Sequence, residues 1–207
     1  MASTFLPSPS SKILSDLLNR NENWAEANSG IFPQKTQSPK VLWLGCADSR
    51  VPESVITNSE PGAIFTHRNI ANQYHADDDN TVSVLTYAVE HLKVDHIVVV
   101  GHTLCGGVKA CGEAAQAPAS PPANALQRWL VPLTDFARNN GLGGDLTALL
   151  EANVRMQVDS VLKSEVLEHE CQWVVRDVLV HGWVYDVETG KLRDLEISRG
   201  REGPVQL

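Results

Sequence analysis

Three residues of this 207-residue chain have the types and placement to hold a transition metal. Cys46 ends the apolar run VLWLGC, and His102 and Cys105 stand in GHTLCGG, directly after the run HIVVV. Thiolate and imidazole donors together suit zinc. A Cys2His set also leaves the fourth tetrahedral position for water or substrate, which separates a catalytic zinc from a structural one. His102 can coordinate through one ring nitrogen while Cys105, three residues on, curls back from the first turn of a helix toward the same ion. Gly101, Gly106 and Gly107 allow the close backbone approach this needs. H-x-x-C alone is a weak signal, because a buried cysteine commonly serves as a small apolar side chain. The neighbourhood of Cys46 strengthens it. In CADSR, Asp48 and Arg50 can pair at a strand-to-helix turn through a charge-assisted, bidentate hydrogen bond. Arg50 would keep Asp48 ionised and aimed at whatever binds the metal. A surface ion pair at a turn is the plainer alternative.

The elements around these residues have to bring them together. VLWLGC (Val41 to Cys46), AIFTH (Ala63 to His67) and HIVVVGH (His96 to His102) read as buried strands. Between the last two, Val82, Leu85, Val89 and Leu92 recur at helical spacing behind a cap at Asp79 or Asn80. This strand, helix, strand alternation predicts an α/β fold with a mostly parallel central sheet and helical crossovers. In such sheets ligands gather at the carboxyl ends of strands, so Cys46 can meet His102 and Cys105 in one crevice. A short helix follows Cys105 to about Ala115, and APASPPA (Ala117 to Ala123) is a loop. Helical pattern returns over Leu126 to Ala137. Asp145 then caps a long helix with the stripe Leu146, Leu150, Val154, Val158, Leu162 and Val166, flanked by the i, i+4 pairs Glu151 to Arg155 and Asp159 to Lys163. The β-rich runs either side of Glu188, Thr189 and Gly190 predict an antiparallel hairpin closing the sheet. At the amino end, Ser10 or Ser11 can cap an amphipathic helix carrying Ile13, Leu14, Leu17, Leu18 and Trp24, which either packs on its own domain or reaches across to a partner. The whole chain reads as a single domain, with about 1–35 as a helical arm and 36–207 as the body.

Composition narrows the function. Lys plus Arg number 17 against 25 Asp plus Glu, a net charge of −8, which argues against a nucleic-acid binder or a basic membrane-surface protein. No apolar run approaches the roughly 18 residues of a bilayer span. The four cysteines, 46, 105, 111 and 171, show no disulfide spacing and point to a reducing, cytoplasmic setting. A secretory signal is not evident at the amino end, while an organelle presequence stays open. A zinc deaminase is excluded by the lack of H-x-E with P-C-x-x-C, and a dinucleotide site by the lack of G-x-G-x-x-G after a strand.

With these residues in hand, the sequence resembles the β-class carbonic anhydrases. The resemblance is carried by CADSRVP (Cys46 to Pro52), HRNIAN (His67 to Asn72), GHTLCGG (Gly101 to Gly107) and HGWVYDVETG (His181 to Gly190), in the family's order and spacing from about Gln37 to the hairpin. It implies one zinc per subunit on Cys46, His102 and Cys105, the catalytic dyad Asp48 and Arg50, and reversible hydration of CO2 to bicarbonate and a proton by zinc-bound hydroxide. It further implies that Asp48 can be a fourth ligand in a closed state, and that Gln37, Phe65, Tyr87 and Gly106 line the substrate pocket, whose apolar residues are often shared across a dimer interface. Trp43, Arg68 and Tyr185 match a non-catalytic bicarbonate site. The expected assembly is a homodimer or homotetramer. Two thiolates donate more than imidazoles, so activity should rise toward alkaline pH. No proton shuttle stands out among His67, His75, His91, His96, His169 and His181. Cys111 and Cys171 read as buried thiols, although Cys111 as a fourth ligand would make the zinc purely structural. The alternatives are a non-catalytic zinc-stabilised sensor or binding protein on the same fold, and a hydrolase of CS2 or COS.

Overall fold

Four apolar runs become parallel strands of one sheet: β1 (Val41–Cys46), β2 (Ile64–Asn69), β3 (His96–His102) and β4 (Leu179–Asp186), side by side in the order β2-β1-β3-β4. β1 and β3 are buried almost end to end, which is why they read as unbroken apolar runs. β4 turns at residues 187–190 into the antiparallel β5 (Lys191–Asp194), and β6 (Arg199–Gly200) and β7 (Gly203–Pro204) extend the antiparallel edge. The fold is α/β with a mostly parallel sheet. The computed structural model describes residues 9–32, 36–168, 177–200 and 203–205, and the chain divides into two units, Met1–Thr36 and Gln37–Leu207.

The strand order matters for the site. From β1 the chain forms β2 on one side and then crosses back to lay β3 on the other. The carboxyl ends of β1 and β3 therefore flank the point where strand order reverses, and a crevice opens there between the connections.

The second unit contains α2 (Glu53–Ile56), a 3₁₀ turn (Ile70–Asn72), α3 (Asp79–Thr86), α4 (Gly106–Gln116), α5 (Ala125–Asn139) and α6 (Leu146–Leu162). α3 runs on into a π-helical stretch, Tyr87–Leu92, that ends at Lys93 in the left-handed conformation. α6 starts where Asp145 accepts the Ala148 N–H at 2.9 Å. It crosses the sheet against two glycines: at Gly101 an added Cβ would stand 2.7 Å from Leu150 and 2.8 Å from Val154, and at Gly182 it would meet Val154 and Ile197.

Several local expectations change. α3 is capped by Asp78, which accepts from the N–H groups of Asn80 and Thr81, so the cap lies one or two residues before Asp79 or Asn80. α1 (Pro9–Ala27) begins ahead of Ser10 and Ser11, with proline at the first helical position, where its missing N–H is no loss. Glu151 and Asp159 bind Arg193 and Arg199 at 2.6 and 2.8 Å rather than Arg155 and Lys163 four residues on, because the following strands present closer partners. The buried face of α6 is also wider than the expected stripe and takes in Asn153 and Gln157. Within the first unit, Ile13, Leu14, Leu17, Leu18 and Trp24 are exposed along α1, and Trp24 meets Phe32 edge-on at 5.3 Å. Among the described residues no helix is long and apolar enough to cross a membrane.

Candidate functional site

Cys46 is the last residue of β1, His102 the last of β3, and Cys105 the residue that opens α4. The reversal of strand order puts all three in one buried cluster, with ligand atoms within 4.8 Å of one another. The two sulfurs are 4.0 Å apart. Two thiolates at tetrahedral corners about 2.3 Å from zinc would be separated by about 3.8 Å, so the spacing fits that ion. His102 settles the fit from the other side. Its Nδ1 is held by the Thr103 carbonyl at 2.9 Å, while its Nε2 is buried with no hydrogen-bond partner. An orphaned buried ring nitrogen costs about 1–3 kcal/mol, a cost that coordination removes, and the bond at Nδ1 fixes the tautomer that leaves Nε2 free to ligate.

The backbone N–H groups of Asp48 and Ala71 act to lower the Cys46 thiol, and those of Gly107 and Val108 act to lower the Cys105 thiol. The Cys46 thiol is drawn down to about 4, chiefly by the hydrogen bond from Cys105. The Cys105 thiol is pushed up by that same bond and by burial. The first proton thus leaves easily and the second is retained, and a divalent cation brings the charge that releases it.

Asp48 stands at the rim of this cluster, its Oδ2 3.9 Å from His102 Nε2. Arg50 holds it by three hydrogen bonds: backbone N–H to Oδ1 at 2.9 Å, Nε to Oδ1 at 3.0 Å and Nη2 to Oδ2 at 2.7 Å. Arg50 Nη2 also reaches the Leu104 carbonyl at 3.2 Å, which ties the CADSR turn to the loop between His102 and Cys105. The hydrogen bonds from Arg50 keep the Asp48 carboxyl well below the usual carboxylate range. Arg68 braces the turn from β2, donating from Nε to the Cys46 carbonyl at 2.8 Å and from Nη2 to the Asp48 carbonyl.

Gly106 adjoins Cys105 with open space where a Cβ would stand. Gln37, Phe65 and Tyr87 are placed elsewhere. Phe65 is level with Leu42, four residues and about 13 Å along the strand from Cys46. Its ring lies 5.8 Å from that of half-exposed Tyr87, and Gln37 is exposed ahead of the start of β1. One chain therefore does not bring these three to the cluster. Trp43, Arg68 and Tyr185 share one face of the sheet by register. Trp43 is buried edge-on to Trp183 at 6.4 Å, Tyr185 is buried, and Arg68 is engaged by the two carbonyls.

Cys111 is a buried thiol near the Leu130 carbonyl, pushed up by burial, and it is not part of the cluster. Cys171 and His169 lie outside the described residues. The remaining histidines have partners of their own. His67 meets Asn69 and Thr81, His75 stacks on Trp129 at 4.1 Å, His91 faces Tyr87, and His96 meets His181, which meets Ser198. Sequence reasoning missed Ala71 and Asn72, which sit at φ +61° and +48° beside Cys46, at about 1–2 kcal/mol each for a residue with a Cβ. It also missed the amides of Gln73 and Asn153 that donate to the Ala71 carbonyl. Asn153 and Gln157, polar and four apart beside an apolar helical stripe, were the available signal.

The family model for carbonic anhydrase matches residues 41–192. A curated carbonic anhydrase of Emericella nidulans is 36% identical over 196 residues, covering 88% of this chain and 83% of the relative. Among solved structures, one of two tetrameric β-carbonic anhydrases from Sordaria macrospora superposes with TM-score 0.79 at 30% identity, covering 91% of this chain and 99% of that one. A Coccomyxa β-carbonic anhydrase in complex with acetazolamide gives TM-score 0.80 at 31% identity, covering 90% and 87%.

Proposed function

The chain belongs to the β-carbonic anhydrase family of enzymes, and from that premise we propose that it hydrates CO2 at a zinc ion held by Cys46, His102 and Cys105, with Asp48 and Arg50 as the catalytic dyad. The observation that carries this reading is the buried, unpartnered His102 Nε2 facing two sulfurs 4.0 Å apart. Zinc held there would acidify a water, so that hydroxide is available near neutral pH. The protein's own groups supply orientation. Asp48, kept ionised by Arg50, can only accept a hydrogen bond. It would accept a hydrogen bond from the attacking oxygen, so that a lone pair of that oxygen faces the carbon of CO2. Because Arg50 engages both carboxylate oxygens, Asp48 is held back from the ligand position in this arrangement. Were Asp48 to turn onto the metal, that bidentate pairing would have to break.

The substrate pocket is completed by a second copy of the chain. Gln37, Phe65 and Tyr87 lie at the end of the sheet away from Cys46, and Tyr87 is 46% exposed, an aromatic face fit for burial against another copy. A homodimer or homotetramer follows, in keeping with the tetrameric Sordaria enzyme. The free thiols Cys46, Cys105 and Cys111 support a reducing compartment such as the cytoplasm. Trp43, Arg68 and Tyr185 form the non-catalytic bicarbonate site, where an anion that engaged Arg68 would loosen its hold on the Asp48 turn.

Stopped-flow CO2 hydration with a zinc determination tests the central reading. The parent protein should carry one zinc per chain and be active. Cys46→Ser should lose the metal and the activity together, by more than the roughly 10–100-fold that loss of an outer partner costs in affinity. Undiminished activity in Cys46→Ser would refute the site.

A further inference from the structure

A line of hydrogen-bonding side chains crosses the sheet toward the amino ends of its parallel strands, away from the ligand cluster. His96 is the first residue of β3, His181 the third of β4, and Ser198 stands just ahead of β6. His96 Nδ1 lies 3.0 Å from His181 Nε2, and His181 Nδ1 lies 2.8 Å from Ser198 Oγ. His181 and Ser198 are only 2% and 3% exposed, so most of the line is shut off from water. β6 depends on such side-chain ties, because its register with β4 is the single pair Val180 with Arg199. Ser198 is held by His181, Arg199 by Asp159 at 2.8 Å, and Gly200 lies against the Asp177 carboxylate, which an added Cβ would meet. Each of these three ties involves a group that can gain a proton.

A neutral imidazole offers one donor and one acceptor, so neutral His96 and His181 satisfy the line in either direction. One added proton is also accommodated. Whichever ring takes it, an N–H still faces a bare nitrogen between the rings, and His181 can donate to Ser198. A second proton sets N–H against N–H across 3.0 Å, with two like charges in a site closed to water. No placement of hydrogens then satisfies the line. Burial, and next the neighbouring His96, hold His181 below the ordinary histidine range, while the Asp194 carboxylate on β5 pulls the other way. The remaining charges nearby are engaged or outside: Asp95, next to His96, holds Lys40 at 3.2 Å, Asp159 of α6 holds Arg199, and Glu196 is exposed ahead of Ser198. With the line broken, His181 binds its proton at the ordinary value of about 6.5. The closed form therefore has its full advantage above that pH and loses it as pH falls below.

We propose that His96, His181 and Ser198 form a proton-operated latch on the carboxyl-terminal edge of the sheet. It is closed with at most one proton on the histidine pair, and it opens when both rings are charged, releasing β6 and β7 from β4. Release uncovers the β4 edge at Val180. The latch stands apart from Cys46, His102 and Cys105, and the inference does not rest on their binding a metal.

Hydrogen exchange followed by mass spectrometry on the full chain tests it, from about pH 7.5 to about pH 5, with rates expressed as protection factors against the intrinsic rate at each pH. Protection of residues 195–200 should fall by about tenfold or more below roughly pH 6.5, while β1 and β3 keep theirs. His96→Gln supplies a neutral partner that takes no second proton, so the segment stays protected at the acid end. Asp194→Asn removes the carboxylate that favours the proton and moves the loss to lower pH; it carries the test if His96→Gln fails to fold. Ser198→Ala breaks the line at its far end and lowers protection several-fold even near pH 7.5. Protection in the parent that is flat with pH overturns the proposal. So does an acid loss that His96→Gln retains, since Asp159 or Asp177 would then be the group responsible, and so does a loss that Asp194→Asn leaves in place. A parent in which β1 and β3 lose protection together with the segment is unfolding as a whole, and that also overturns it.

Discussion

The two ends of the parallel sheet are built to different standards. At the carboxyl end, Cys46, His102 and Cys105 are buried within one chain, and the flanking turn is braced by Arg50 and Arg68. At the other end, Gln37 is exposed and Tyr87 is half-exposed, with Phe65 as its ring partner. The carboxyl end looks inward and spends left-handed residues, at Ala71, Asn72 and Leu104, to aim its groups. The other end is surface that another copy can cover. If the proposed pocket residues are the right ones, the reactive groups and the walls of the substrate pocket come from opposite ends of one fold, so a complete site would need two copies.

The sharpest way to break this contrast is at Asp48. Asp48→Asn keeps the shape and loses the charge-assisted bonds from Arg50, so hydration should fall by about 10²–10³-fold while zinc content stays at parent level. The pH profile carries a sign. Asp48 is held below the usual carboxylate range by Arg50, so it is ionised throughout the assay range and cannot itself produce the alkaline rise. Replacing that anion with a neutral amide removes an obstacle to a second negative charge nearby, so the rise should move to lower pH. A rise displaced to higher pH would mean that Asp48 does not face the metal position. At the opposite end, Tyr87→Ala should cost less, about tenfold in activity, with zinc unchanged and a weakened assembly visible by sedimentation at low concentration. Loss of zinc in Tyr87→Ala with the assembly intact would collapse the distinction between the two ends.

The carboxyl end was the more legible in the sequence, for a physical reason. Its ligands follow apolar strands directly, and an apolar run that stops at Cys46 or at His102 announces both the strand and the position of its end. Pairing of Asp48 with Arg50 could be anticipated because they are two residues apart on one turn. Apart from the α3 cap, which is local, what could not be anticipated depends on contacts between distant segments. The cap of α3 falls on Asp78, because its side chain reaches two backbone N–H groups and a neighbouring carboxamide does not. Glu151 and Asp159 pair across to β5 and β6, a choice no helical periodicity encodes. The Ala71 carbonyl accepts from Gln73 two residues on and from Asn153 some eighty residues downstream, and nothing local in HRNIAN discloses the second partner. The same holds for the pocket walls. Motif matching names Gln37, Phe65 and Tyr87, but only the register of β1 with β2 shows which end of the sheet they occupy.

The smallest expected effect concerns Arg68, which in the proposed bicarbonate site would link the braced end to anions from outside. Its guanidinium donates to the Cys46 and Asp48 carbonyls, and it shares a sheet face with Trp43 and Tyr185. A planar bicarbonate would compete for the same fork of donors, since arginine's paired N–H groups match a carboxylate-like anion as well as two carbonyls. An anion bound there would take donors from the Asp48 turn and weaken the alignment of Asp48 with Arg50. Parent protein near neutral pH should therefore be inhibited by bicarbonate beyond simple product competition. Arg68→Ala should lose that excess inhibition, with a several-fold lower activity because the turn has lost its brace. Arg68→Lys should retain attraction for the anion but not the bidentate hold, and so fall between the two. Identical inhibition of parent and Arg68→Ala would remove bicarbonate from this face of the sheet and leave Arg68 as a brace alone.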